Sequence, residues 1–280
     1  MFFRYFAPHT EINRYVSSYY QVTLPGEVAD IMRAEIANLR LILAGEVVSD
    51  LDGEMKGLAA PRSLLCGPTF RASRVIFKPG TLVLGAAITP LGWRKLFGVS
   101  AEDYADRYAD LSDLVDNDFL DPISAIFETN DAERRVALLD DFFRAVADTD
   151  RPANEAFVAA CSEWLIEPEP EELPAFLARV GLSHRQVDRL CKMYFGAAPK
   201  KLHRKFRALH AANRLCWENL TDWRDIAASG FYDQAHFIRE FKAVNGRTPK
   251  EFIDGPHLLV RATLEERRRI THASPFSLIG

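Results

Sequence analysis

Histidine, cysteine and long apolar runs are scarce where metal binding, disulfide bonding or membrane anchoring would need them. Residues 1–172 contain a single histidine, His9, so a histidine-based metal site of the barrel type has no ligand set there. The four cysteines, Cys66, Cys161, Cys191 and Cys216, are widely spaced and form no C-x-x-C pair. That spacing suits reduced thiols in a cytoplasm better than a disulfide framework or a zinc site. It also denies a cysteine-based DNA-repair methyl acceptor its reactive and zinc-binding residues. No run of eighteen apolar residues occurs, so no membrane span is expected. The first residues are interrupted by Arg4, His9, Glu11 and Arg14 and do not read as a signal peptide. With no G-x-S-x-G or P-loop string and no Ser/His/Asp set, the expectation is a binding protein, not an enzyme, with no cofactor.

The chain has 280 residues, 48% of them apolar, enough for two cores and too many for wholesale disorder. Its net charge of −4 hides a division. Residues 1–172 carry 16 Lys and Arg against 29 Asp and Glu, whereas residues 173–255 carry 15 against 8. An acidic part followed by a basic part suggests that only the second meets a polyanion.

Residues 38–55 and 74–90 are rich in Val, Ile and Leu, are broken by Gly and Pro, and read as strands. Beyond Gly92 the pattern turns helical. Val136, Leu139, Phe142, Phe143 and Val146 recur at spacings of three and four, and a further helix is expected over residues 156–166. The string EPEPEEL, residues 167–173, is the best boundary. The expected divisions are 1–150, a sensor or dimerisation domain; 151–172, a helix and acidic Pro-rich connection; 173–255; and a tail, 256–280. The tail reads as an extra helix or as disorder.

Residues 173–255 contain a duplication. Arg189, Lys192, Gly196, Pro199 and Lys200 recur fifty positions later as Arg239, Lys242, Gly246, Pro249 and Lys250. Upstream, Gly181 corresponds to Gly230. Each copy has the parts of a helix-turn-helix. A short apolar helix, Phe176-Leu177-Ala178 or Ile226-Ala227-Ala228, ends at a glycine. Ser183 and Gln186 then form an S-x-x-Q capping box, and Asp233 is the N-cap of the second copy. The next helix buries Val187, Leu190, Cys191 and Tyr194 in one copy and Phe237, Phe241 and Val244 in the other. Between the copies, residues 199–219 read as one long helix of roughly 30 Å, close to the ~34 Å repeat of DNA.

The other faces of the two helices have the chemistry of DNA recognition. Arg and Gln bond bidentately to guanine and adenine edges, while Arg and Lys elsewhere meet phosphates. The candidate DNA-binding residues are His184, Arg185, Gln186, Arg189, Lys192 and Lys200, with Gln234, His236, Arg239 and Lys242. His184 is either a reader or a bystander at the helix start. His236 either packs or touches phosphate, and Arg239 either meets phosphate or forms an internal ion pair. The basic run at 200–207 is either a phosphate clamp or a solvated face.

In these residues the chain resembles the AraC/XylS family of bacterial transcription regulators. The second copy carries the likeness in Gly230-Phe231, Asp233, His236-Phe237, Arg239, Phe241-Lys242, Gly246, Thr248-Pro249 and Phe252. The first does so in Leu177-Ala178, Gly181, Ser183, Arg185, Arg189, Gly196 and Pro199. Cys191 departs from the larger apolar residue usual there, which implies looser packing. The strings LLCGPTF and GAAITPLGWRKLFGVSAEDYADRYADLSDL are similar to an uncharacterised sensor-like domain found beside this DNA-binding domain.

The resemblance and the residues together imply an α+β protein. A mainly-β barrel or sheet domain with helices precedes an all-α domain of two helix-turn-helix units joined by a long helix. They imply a sequence-specific, cytoplasmic, nucleoid-associated regulator whose partner is double-stranded DNA. A small-molecule effector, RNA polymerase and a second copy of the chain are further candidate partners; a membrane is not. Trp93, Tyr104 and Phe70 are either walls of an effector pocket or ordinary core. The helical stretch 125–147 either pairs two chains or covers its own sheet. The alternative to a regulator is a non-enzymatic ligand- or protein-binding module with degenerate DNA reading.

Overall fold

Along residues 37–44, Leu39 and Leu41 turn to one side of a strand and Arg40 and Ile42 to the other, as the period of two requires. That alternation serves two cores. In the computed structural model, which describes residues 1–149, 151–167, 171–218, 220, 222–224, 234–255 and 258–269, ten strands form two antiparallel sheets. They are β1 (Phe2–Phe6), β2 (Val16–Leu24), β3 (Val28–Met32), β4 (Ala37–Ala44), β5 (Glu46–Ser49), β6 (Lys56–Ala59), β7 (Arg62–Cys66), β8 (Ser73–Phe77), β9 (Thr81–Ile88) and β10 (Tyr108–Asp110). The larger sheet runs β1-β2-β9-β4-β7-β10 and the smaller β3-β8-β5-β6. No closed barrel forms among the described residues; the sheet alternative holds.

Leu39, Leu41, Leu84, Ala86 and Ile88 of the larger sheet pack against the helical side of the domain. A turn at Pro90–Gly92 (α1) leads there, followed by α2 (Asp121–Glu128) and α3 (Ala132–Ala147). Leu139, Phe142, Phe143 and Val146 of α3 are buried on this sheet, so α3 covers its own sheet. Trp93 and Tyr104 belong to the same core. On the opposite face, Val22, Ile42, Leu64 and Val83 meet Val47, Leu58, Val75 and Phe77 of the smaller sheet.

The remaining helices are α4 (Glu155–Ile166), α5 (Leu173–Val180), α6 (His184–Phe195), α7 (Pro199–Trp217), α8 (Gln234–Asn245), α9 (Pro249–Asp254) and α10 (Leu258–Arg268). The stretch 258–268 expected as helix or disorder is therefore helical. Two further cores hold these helices. One joins α4, α5, α6 and the start of α7 to Ala34, Ile36 and Phe70 of the β domain. The other gathers Leu215, Phe237, Phe241, Phe252, Val260 and Leu264. Among the described residues, no helix is long and apolar enough to cross a membrane. The expectations for Pro168, Pro170, residues 226–228, Gly230, Phe231, Asp233 and the tail beyond 269 fall outside the described residues.

Candidate nucleic-acid interface

Each helix of the first unit begins or ends where local chemistry requires it. Gly181, at φ 66°, closes α5, and its amide bonds back to the carbonyls of Ala178 and Leu177; this left-handed C-cap is open to glycine without a Cβ penalty. Ser183 opens α6 through a complete capping box with Gln186. Gly196 ends α6 at φ 85°, and Pro199 starts α7 at a first-turn position. The second unit repeats the exit. Gly246, at φ 76°, follows α8, and Thr248 and Glu251 form a capping box around Pro249 at the start of α9. The duplicated G-x-x-P string is thus a stop signal followed by a start signal.

Between the units α7 runs unbroken for 19 residues, roughly 28 Å at the α-helical rise. Leu202, Phe206, Leu209, Asn213 and Leu215 are buried along it. The basic run at its start does not share one face. Lys200, Lys201 and Arg204 are exposed and Lys205 is fully buried, while His203 stacks on Trp164 and Arg207 pairs with Glu240 at 2.9 Å.

The predicted residues of α6 lie on its outer side. His184, Arg185, Gln186 and Arg189 are exposed, opposite the buried Val187, Leu190, Cys191 and Tyr194. Gln186 is already employed: its Oε1 accepts from Ser183 N at 2.9 Å and Ser183 Oγ at 2.7 Å. Lys192 lies 3.3 Å from Glu102 and 3.5 Å from Asp188. The hydrogen bond it donates to Glu102 and the charge of Asp188 hold its ammonium above the usual lysine range. On α8, Gln234, Arg239 and Lys242 are exposed, whereas His236 Nε2 lies 3.2 Å from Glu240 Oε1.

Glu240 is one residue the sequence did not single out. Nearly buried, it gathers Arg204, Arg207 and His236 and ties α8 to α7. A carboxylate set within a basic helix was the available signal.

The second unrecognised element is a strap, residues 30–36, at the end of β3 and the link to β4. Asp30 pairs with Arg247 and accepts from Leu259 N at 3.0 Å. Arg33 Nη1 donates to Asn213 Oδ1 at 2.5 Å, and Ala34 N to Val244 O at 2.8 Å. Lys205 Nζ donates to Glu35 O at 2.7 Å, and burial pulls its ammonium down to about 7. The strap therefore touches α7, the end of α8 and α10 at once. The glycines at the helix ends fit beneath the β domain. A Cβ at Gly196 would lie 2.7 Å from Pro68, and one at Gly246 would lie 2.2 Å from Ile31.

Between the two sheets lies a cavity of about 80 Å³. Val22, Ile42, Val75 and Phe77 contribute apolar wall, and Leu259 and Thr263 of α10 close it. At one end the Glu35 carboxylate is held by Arg40, with Arg267 Nη2 3.6 Å from its Oε1. Arg40 Nε donates to Tyr20 OH and Arg267 Nε to Tyr5 OH, each at 3.3 Å. Burial pushes the Tyr20 hydroxyl up to about 12, against the pull of Arg40. Phe70 and Trp93 do not line this cavity. Phe70 lies instead under the ammonium groups of Lys201 and Lys205, 4.3 and 4.9 Å from its ring centre.

A capped turn, a buried stripe and an exposed polar face on a helix of twelve residues define the class, a helix-turn-helix DNA-binding protein. Residues 176–255 match the family model of a helix-turn-helix domain, and this segment is of the AraC type. The chain thus carries a helix-turn-helix domain over these residues. No curated protein matches it. Among solved structures it is similar to ToxT from Vibrio cholerae O395 bound to (E)-4-(8-methylnaphthalen-1-yl)but-3-enoic acid, with 10% identity, 90% of this chain and 98% of that one covered, and a TM-score of 0.49. Unsaturated fatty acid-bound ToxT from Vibrio cholerae strain SCE256 gives 12% identity, coverage of 83% and 93%, and a TM-score of 0.45. The AraC-like transcriptional activator CuxR gives 13%, 75% and 86%, with a TM-score of 0.26. At TM-scores below 0.5 these likenesses fix neither the arrangement nor the ligand of this chain.

Proposed function

We propose that the chain is a sequence-specific regulator whose two helix-turn-helix units read adjacent major grooves from one monomer, under control of the β domain. The observation that carries this reading is the pair of outward basic faces on α6 and α8, joined by the 19-residue α7. The length of α7, roughly 28 Å, lies near one turn of DNA. In this reading Arg185 and Gln234, at the N-terminal ends of their helices, meet base edges, with His184 beside them. Arg189, Lys192, Lys200, Arg239 and Lys242 meet phosphates and set register. Gln186 contributes through its amide nitrogen only, since its oxygen caps the helix.

Control is proposed to enter through residues 1–150, with residues 151–172 as the connection. The cavity between the sheets supports an effector of small size, apolar along its length and carboxylate at one end. A carboxylate there would compete with Glu35 for Arg40 and Arg267, and the strap that carries Glu35 holds both units. Binding that favours one arrangement over the other shifts DNA affinity by the same free energy.

A footprint of the purified protein on DNA upstream of its own gene, at two salt concentrations, tests the reading. Two protected patches about one helical turn apart are expected, weakening together as salt rises. A single patch would break tandem reading, and none above background would break DNA recognition. Adding short-chain carboxylic acids beside their alcohols tests the effector: only the acids should move the footprint.

A further inference from the structure

Cys191 was expected to leave its surroundings loosely packed. It does not, because another thiol meets it. Cys161 of α4 and Cys191 of α6 are each 0% exposed, and their Sγ atoms lie 3.8 Å apart. The short side chain on the first recognition helix thus brings sulfur against sulfur. Closing to a disulfide bond length requires a contraction of roughly 2 Å.

The two helices are already joined around this contact. Asn154 N, at the start of α4, donates to Tyr194 OH of α6 at 2.6 Å. Glu155 of α4 pairs with Arg14 of the β domain. A covalent bond at Cys161–Cys191 would therefore fasten the first helix-turn-helix unit, through α4, to the domain proposed to control it.

We infer that Cys161 and Cys191 are a dithiol that hydrogen peroxide closes to an intramolecular disulfide, holding the first unit in its docked arrangement and weakening DNA binding. One sulfur attacks a peroxide oxygen; the O–O bond breaks, one water leaves and a sulfenic acid forms. The second sulfur attacks the sulfenic sulfur, the S–O bond breaks and a second water leaves. Two thiols and one peroxide give one disulfide and two waters, with both electrons accepted by the O–O bond. Because the thiolate is the nucleophile and burial raises the Cys161 thiol well above its ordinary value, with Cys191 adding to the effect, closure is slow. The pair answers sustained peroxide rather than traces.

The full chain is exposed to hydrogen peroxide, unfolded with a maleimide, and weighed. Two maleimide additions should be lost. Tryptic mapping should join the Cys161 peptide to the Cys191 peptide, and dithiothreitol should restore both thiols. Affinity for the footprinted DNA should fall about tenfold on oxidation and recover on reduction. Cys161→Ala, or Cys191→Val where the first variant does not fold, should abolish both changes. Retention of both thiols, or overoxidation of either without a cross-link, overturns the disulfide. A cross-link that leaves DNA affinity within twofold overturns its regulatory role. The affinity readout rests on the DNA-binding reading, and the two fail separately: a reduced chain that binds no DNA breaks that reading, while the thiol count still decides the disulfide.

Discussion

The two units repeat one exit, a glycine stop followed by a proline start, but are attached to the rest of the molecule differently. The first meets the β domain through side chains: apolar residues of α5 and α6 share a buried core with Ile36 and Phe70, and Lys192 reaches Glu102 at the surface. The second is tied by main chain. Ala34 and Ala72 donate to the carbonyls of Val244 and Ala243 at 2.8 and 3.0 Å, and Arg247 pairs with Asp30, whose side chain is only 4% exposed. Hydrogen bonds between backbones fix position, whereas a solvated ion pair steers weakly. The difference suggests that the second unit is the anchor and the first the one that an effector, or a disulfide, releases or holds.

The largest effect expected from breaking this contrast is at the anchor. Arg247→Ala leaves the Asp30 carboxylate buried without its cation, and a loss of about 3–5 kcal/mol in urea unfolding is expected. Next come the glycines. Gly246→Ala combines a left-handed φ of 76° with a Cβ 2.2 Å from Ile31, while Gly196→Ala meets Pro68 at 2.7 Å. Each should cost about 1–3 kcal/mol, the former more, by the same measurement. Smaller still are the readers. Arg185→Ala or Gln234→Ala should relax preference at one base pair by about 1–3 kcal/mol in competition binding. Lys242→Ala should instead weaken all sequences alike and flatten the salt slope; equal behaviour of all three would sink the division into readers and phosphate contacts. The smallest effect is at the first unit's surface pair. Glu102→Gln should leave the melting temperature unchanged and strengthen DNA binding a few-fold by releasing Lys192.

The parts legible in the sequence are those written in local chemistry. The strands over 38–55 and 74–90 show their apolar runs and breaks, and the helix-turn-helix units show glycine stops, proline starts and capping residues at fixed spacing. Their exposed basic faces follow from the buried stripes alone. The strap was not legible because its contacts with the helical half join residues far apart in the chain. Nothing about Arg33, Glu35 or Arg40 in isolation predicts burial, since charged residues are seldom buried unless paired. Arg267 enters the cavity only because α10 folds back onto the first sheets. Cys191 looked like a packing defect because its partner, Cys161, stands thirty positions away.

The strap also sets an order of assembly. Asp30 waits for Leu259 across 229 residues and Arg33 for Asn213 across 180. During synthesis the sheets must therefore persist with an unfilled polar seam until almost the whole helical half has emerged. Contacts of such long sequence separation slow folding, because the entropy of closing the loop is lost before the contact forms. A chain stalled before α10 would lack Leu259 on Asp30 and Arg267 on Glu35 and would have an open cavity between its sheets, the form a chaperone or protease would meet first. The element that couples the two halves is thus also the last to be finished.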